Sequence, residues 1–284
     1  MKFLNTLLAY GRMIRFSHSI FALPFAISGI LLVSRYYPIT PLKIIWIVIA
    51  MIAGRSAAMG INRILDYKID SLNPRTKMRE IPQGVISLPG ALLFISICAI
   101  LFVFAAFQLN MVCGILSVPV LALFIFYPCT KRFTWTTHLY LGLCLGLAPL
   151  GVWIAISGQL QGPIILLGLG VLFWVSGFDI IYACQDFNFD STHDLFSIPK
   201  RFGLARALRI ALFFHGISLG LLIWVGISFH LNFLYFLGCC IIAAVMLYEH
   251  SLVSPENLSK AQAAFNANGW ISVIYLLSIW AGQR

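Results

Sequence analysis

Asn62, Asp66 and Asp70 recur every four residues, and Asp179, Asp186 and Asp190 follow one another at intervals of seven and four. On a helix the first spacing advances by ~40° per step, so its three side chains fall within ~80° of one face. The second spacing, on an unbroken helix, confines its three carboxylates to an arc of ~40°. Acids gathered in this way repel one another unless cations join them. Hard oxygen donors suit Mg2+, which keeps several waters and binds through a few carboxylates together with substrate phosphates. No histidine accompanies either set at metal-ligand spacing, so zinc is not expected. A single such set would read equally well as solvated acids paired with nearby lysines and arginines. Two sets of one design favour a shared chemistry.

Basic residues stand beside both sets. "NPRTKMRE" brings Arg75, Lys77 and Arg79 just beyond the first, "YPCTKRF" brings Tyr127, Lys131 and Arg132, and "SIPKRFG" brings Lys200 and Arg201 just beyond the second. A diphosphate carries about three negative charges, and guanidinium forks and ammonium groups are its usual protein partners. Arg75, Arg79, Lys131, Arg132 and Lys200 are therefore candidates to hold such a group. Other bases serve topology and anionic headgroups. No nucleic-acid partner is expected.

The elements that must carry these residues are greasy. Of the 284 residues, 61% are hydrophobic and 10% charged, with a mean hydropathy of +0.94. A soluble domain has roughly 25% charged residues, so this chain belongs in lipid. Apolar runs fall at roughly 18–35, 42–62, 87–107, 109–128, 136–157, 163–182, 207–228, 231–249 and 264–281, each long enough to cross ~30 Å of hydrocarbon as a helix. The reading is one all-α membrane domain, 1–284, with nine transmembrane helices. The first run begins late, contains Pro24 and lacks a small-x-small cleavage site, so it reads as a retained helix. The seven cysteines are scattered without C-x-x-C spacing and read as apolar filler.

Nine crossings divide the loops between two sides. Of the nineteen Lys and Arg residues, all but Arg35, Lys43, Arg284 and the intramembrane Arg55 collect on one side. The positive-inside rule makes that side cytoplasmic. All nine acids gather there too; since acids do little to set topology, function is the better explanation. The acidic sets lie four helices apart, which hints at a repeated unit of helix, acidic motif and helix.

These motifs have a resemblance. "NRILDYKID…RTKMREIPQG" resembles the first signature of the UbiA-type aromatic prenyltransferases, and "DIIYACQDFNFD…SIPKRFG" their second. "YPCTKR" is similar to the Tyr-x3-Lys element between them, and "HSIFALPFA" and "AFNANGW" match sequences common near the two ends of the family. One departure is Asp194, where the family usually has Gly before "SIP". The resemblance implies nine transmembrane helices in a bundle around a central cavity open to lipid. It implies Mg2+-dependent transfer of a prenyl chain from polyprenyl diphosphate to an acceptor, often an aromatic ring. Asn62, Asp66 and Asp70 would hold one Mg2+ and Asp179, Asp186 and Asp190 another, with Asp66, Asp70, Asp186 and Asp190 as the catalytic carboxylates. Arg75, Arg79 and Lys131 would neutralise the diphosphate.

The expected reaction is then loss of diphosphate, attack by the acceptor ring on an allylic cation, and loss of a ring proton. Phe21, Trp174 and Tyr182 offer ring faces to such a cation, although packing is the commoner use of an aromatic in a spanning helix. A small aromatic acid needs a positive partner for its carboxylate: Arg15, His18 and Arg55 are candidates, Arg55 foremost because a guanidinium in a span is costly. Tyr182 completes the acceptor set. The first choice of acceptor is 4-hydroxybenzoate, on a ubiquinone-type route at the cytoplasmic face of the inner membrane. A dihydroxynaphthoate on a menaquinone route is the alternative. An ion-coupled secondary transporter is the reading from another class, and the placement of the acids at one face rather than the midplane counts against it.

Overall fold

Prolines and short polar side chains set the starts of the long helices. Thr40 caps α3 (Pro41–Leu72), its hydroxyl accepting from the Lys43 N–H, with Pro41 in the first turn, where a missing N–H costs nothing. Ser87 does the same for α4 (Leu88–Leu109) through Gly90 N–H. The computed structural model describes residues 2–15, 21–160 and 162–284, with the backbone alone for 2–5. In chain order, α1 (Lys2–Met13) and α2 (Leu23–Val33) precede these two. They are followed by α5 (Met111–Thr130), α6 (Thr137–Ser157), α7 (Gly162–Ala183), the short α8 (Phe187–Thr192) and α9 (Ile198–Phe202), then α10 (Leu204–Ser228), α11 (Phe233–Ser251) and α12 (Ala261–Gly282). No strand occurs among the described residues.

The architecture is all-α, as the sequence indicates. Among the described residues, seven helices are long and apolar enough to cross a membrane. The expected count of nine is not reached among the described residues. Nine helices do coincide with the nine apolar runs, but α2 has only 11 residues, ~16 Å of rise. Helix α12, with 22 residues, is long enough but carries Gln262, Asn266 and Asn268 in its first half. Large apolar side chains point outward all along the spans, among them Leu93, Ile100, Ile115 and Phe213. Only lipid tolerates such a surface.

The chain forms two compact units. The first comprises Met1–Ser19 and Thr40–Cys129. Within it α3 lies against α4, where a Cβ on Gly54 would strike the Phe102 ring and one on Gly60 the Ile95 side chain. Helix α1 buries Ala9 and Met13 in a cluster with Ile81, Ile86 and Ala91. The second unit comprises Ile20–Ile39 and Thr130–Arg284. At its centre is α7, packed on α6, α10 and α12. It is apolar on every side, the pattern of a helix enclosed by others.

Helix α6 meets α7 through a stripe of small residues. His138, Gly142 and Gly146 follow at one-turn intervals on its buried face. A Cβ on Gly142 would strike the Leu172 carbonyl, and one on Gly146 would stand 2.5 Å from the Gly168 carbonyl. Small residues let two helix backbones approach this closely, and here they fix the α6–α7 register. Gly146→Ala is expected to destabilise the protein by about 1–3 kcal/mol through that clash, read as a lower unfolding midpoint in detergent. Gly151→Ala, whose added methyl would meet nothing within 4 Å, should leave the midpoint unchanged or slightly raised.

Candidate active site

The first acidic set sits on an uninterrupted helix. At 32 residues, α3 is ~48 Å long, well beyond the ~30 Å of hydrocarbon, so its last turns can leave the bilayer. Asn62, Asp66 and Asp70 lie on those turns, with both carboxylates buried. The Asn62 Nδ2 donates to the Tyr127 hydroxyl at 3.0 Å, which leaves its amide oxygen for another partner. Beyond α3, the loop folds back on the helix. Buried Thr76 donates its hydroxyl to the Asp70 carbonyl at 3.1 Å, and the Asn73 carbonyl accepts from the N–H of Thr76 and of Lys77. This returns Arg79 to Asp70, with Nη1 to Oδ2 at 2.6 Å. Arg75 is exposed on the same loop.

The second set is not on one helix. Helix α7 ends at Ala183, a 3-10 turn spans Cys184–Asp186, and α8 begins at Phe187. The tighter turn advances by ~120° per residue instead of ~100°. The arc occupied by Asp179, Asp186 and Asp190 therefore widens from the expected ~40° to roughly 80°. Asp186 and Asp190 lie within electrostatic reach of each other, with Lys131 and His138 also within reach of Asp190. Ser197 donates from Oγ to Asp190 Oδ2 at 3.0 Å and, as the cap of α9, accepts the Lys200 N–H. The Phe196 N–H donates to the Lys131 carbonyl at 2.7 Å. The Lys200 ammonium lies over the Phe196 ring, and Arg132 is exposed. At Asp194, three residues before Ser197, φ is +51°. That left-handed backbone favours glycine and tolerates aspartate better than most residues, which accounts for the departure at this position.

The remaining candidates are placed as follows. Arg55 donates from Nη2 to the Arg15 carbonyl at 3.4 Å, so these two are neighbours in the first unit. Tyr182 packs on Phe265, with centroids 4.7 Å apart. Phe21 is buried against Phe178 and Phe265. His18 lies outside the described residues. Trp174 is anchored by a polar chain: its Nε1–H donates to Asn268 Oδ1 at 2.7 Å, and Asn268 Nδ2 donates to Glu249 Oε1 at 2.8 Å. Asn268 belongs to the "AFNANGW" stretch; its sequence offered no hint of this buried link. His138 was also missed, and it holds Asp179, Nδ1 to Oδ2 at 2.7 Å. A lone histidine in an apolar run carries no signal of such a role.

Among the described residues, no three His, Cys, Asp or Glu side chains close on one point as an all-protein cage would require. Each unit carries instead two carboxylates four residues apart, Asp66 and Asp70 in one and Asp186 and Asp190 in the other, all hard oxygen ligands. That arrangement suits an ion that retains several waters, as Mg2+ does.

Apolar helices of spanning length define a multi-pass membrane protein. Residues 22–274 match the UbiA prenyltransferase family, and the chain belongs to it as a polyprenyltransferase. A 4-hydroxybenzoate octaprenyltransferase from Methylobacillus flagellatus is 29% identical over 229 residues, 81% of this chain and 77% of that one. One from Francisella tularensis subsp. novicida is 31% identical over 230 residues, covering 81% and 80%. The apo structure of a UbiA homolog from Aeropyrum pernix K1 superposes with a TM-score of 0.85 at 32% identity, over 94% of this chain and 98% of that one. A UbiA homolog from Archaeoglobus fulgidus, solved bound to DMAPP and Mg2+, shares the fold with a TM-score of 0.75 at 20% identity, over 96% and 98%.

The Asp70–Arg79 pair is largely withdrawn from solvent. Arg79→Ala should cost about 3 kcal/mol of stability, because it strands a buried carboxylate. The measurement is unfolding of the purified protein, with Arg79→Lys, which keeps a cation beside Asp70, expected to recover part of the loss.

Proposed function

We propose that this polyprenyltransferase moves the chain of a polyprenyl diphosphate onto 4-hydroxybenzoate in a Mg2+-dependent reaction, and that residues 1–284 act as one catalytic domain. The observation that carries the diphosphate chemistry is the acidic set at the end of a long helix, present once in each unit. The shared name of relatives that cover 81% of the chain supports the acceptor, and the archaeal homolog bound to DMAPP and Mg2+ supports the donor and the ion.

In this reading Asn62, Asp66 and Asp70 hold one Mg2+, Asp179, Asp186 and Asp190 hold another, and transfer needs both. Bound there, Mg2+ supplies positive charge to the departing diphosphate. Arg75, Arg79, Lys131, Arg132 and Lys200 add fixed positive charge as the allylic C–O bond breaks. Arg79 spends one N–H on Asp70 and has four more to offer. For the acceptor carboxylate the candidates are Arg55, foremost, Arg15 and His18, and Tyr182 completes the acceptor set. The ring carbon bonds to the allylic carbon, and the ring proton leaves to a carboxylate of the acidic sets. The apolar surroundings keep water from the cation. The reaction takes place at the cytoplasmic face of the inner membrane.

Charge stabilisation of several kcal/mol is at stake at each set, so Asp66→Asn or Asp186→Asn should slow transfer by about a thousandfold. The assay follows labelled polyprenyl diphosphate in membranes with Mg2+ and either 4-hydroxybenzoate or a dihydroxynaphthoate. Normal turnover in either variant sinks the two-ion scheme, and product from the naphthoate alone replaces the acceptor. Arg55→Leu is expected to raise the KM for the aromatic acid about tenfold, the loss of one charge-assisted contact, with the KM for the diphosphate unchanged.

A further inference from the structure

We infer that His138 is a positioning residue for Asp179, an assignment that rests on the metal reading above. Its two ring nitrogens are both engaged. The Ile198 N–H donates to Nε2 at 3.3 Å. A backbone N–H can only donate, so Nε2 must carry a lone pair and the ring proton must sit on Nδ1. That Nδ1–H points at Asp179 Oδ2, 2.7 Å away, a bond strengthened by the charge of its acceptor. The imidazole is buried, with no nitrogen left to take a proton from substrate or to bind an ion. What it can do is orient.

Asp179 has one oxygen committed to the imidazole. Its side chain remains 23% exposed, so the other oxygen can turn to a cation. Three elements meet at the ring: His138 from α6, Asp179 from α7 and Ile198 from the first turn of α9. The next residue back, Ser197, donates to Asp190 Oδ2. Two carboxylates of the second acidic set are thus tied to adjacent residues of one short helix, Asp179 through His138 and Asp190 directly. The backbone behind the ring is fixed as well. Ser176 Oγ donates to the His138 carbonyl at 3.1 Å, and Gly142, one turn on, brings α6 against α7. Residues that orient a metal-binding group typically contribute 10- to 100-fold to affinity.

The test uses the purified full chain in detergent with Mn2+ as the probe, free Mn2+ being read by electron paramagnetic resonance. His138→Leu removes both hydrogen bonds and should weaken Mn2+ binding by about 10- to 100-fold. His138→Asn places an amide N–H close to the position of Nδ1–H and should restore most of that loss, although it cannot accept from Ile198. Unfolding midpoints show whether each variant is folded. Nitrogen-15 spectra of the wild-type histidines give a reading that needs no folded Leu variant, and the resonances absent from His138→Asn should report a neutral ring with its proton on Nδ1. Undiminished Mn2+ affinity in folded His138→Leu, or a proton found on Nε2, overturns the inference and leaves the two-ion reading standing. Failure of the wild-type chain to retain Mn2+ overturns that reading and the inference with it.

Discussion

A carboxylate set in hydrocarbon is among the most costly placements a protein can make, and the structure is organised around avoiding it. Asp66 and Asp70 are carried on the last turns of α3, a helix longer than the hydrocarbon is thick. Asp186 and Asp190 follow the point where α7 gives way to a tighter turn. Local donors then meet the acids: Arg79 on Asp70 in one unit, Ser197 on Asp190 and His138 on Asp179 in the other. The greasy spans and the charged ends answer one requirement, that an apolar chain and an ionic group be handled by the same molecule.

Precision at the second acidic set comes from the helix interface beneath it. Gly142 and Gly146 let α6 and α7 approach at backbone distance, and such interfaces tolerate little sliding because carbonyl oxygens sit where side chains would otherwise be. His138 is on the same face of α6, one turn before Gly142, so its ring is delivered to α7 at a set height. The glycines have no chemistry of their own. They fix the register in which a histidine on one helix can reach an aspartate on the next.

How much of this was legible follows from how local each feature is. The set on α3 could be read directly, since four-residue spacing on an unbroken helix needs no tertiary information. The set after α7 was legible as a group but not in its geometry, because the 3-10 turn at Cys184–Asp186 has no Gly or Pro to announce it. The Asp70–Arg79 pair joins two residues of one signature, but their contact was not legible, because only the fold-back of the Thr76 loop brings them together. His138 and the Trp174–Asn268–Glu249 chain were invisible because their partners lie on other helices. Each of the nine apolar runs contains a helix; among the described residues α2 is short and the first half of α12 carries amides, so seven of the helices have the length and apolarity of a span. Asp194 shows the opposite situation: a substitution that looked unexplained becomes ordinary once its backbone angle is known.

The continuity of α3 carries a mechanical corollary. A rod of ~48 Å held by lipid over part of its length moves as a lever. A tilt of ~10° about its middle swings either tip by about 4 Å, more than the length of a hydrogen bond. With no hinge between the embedded half and the oxygens near its far end, whatever sets the inclination of the first in the bilayer also sets the whereabouts of the second.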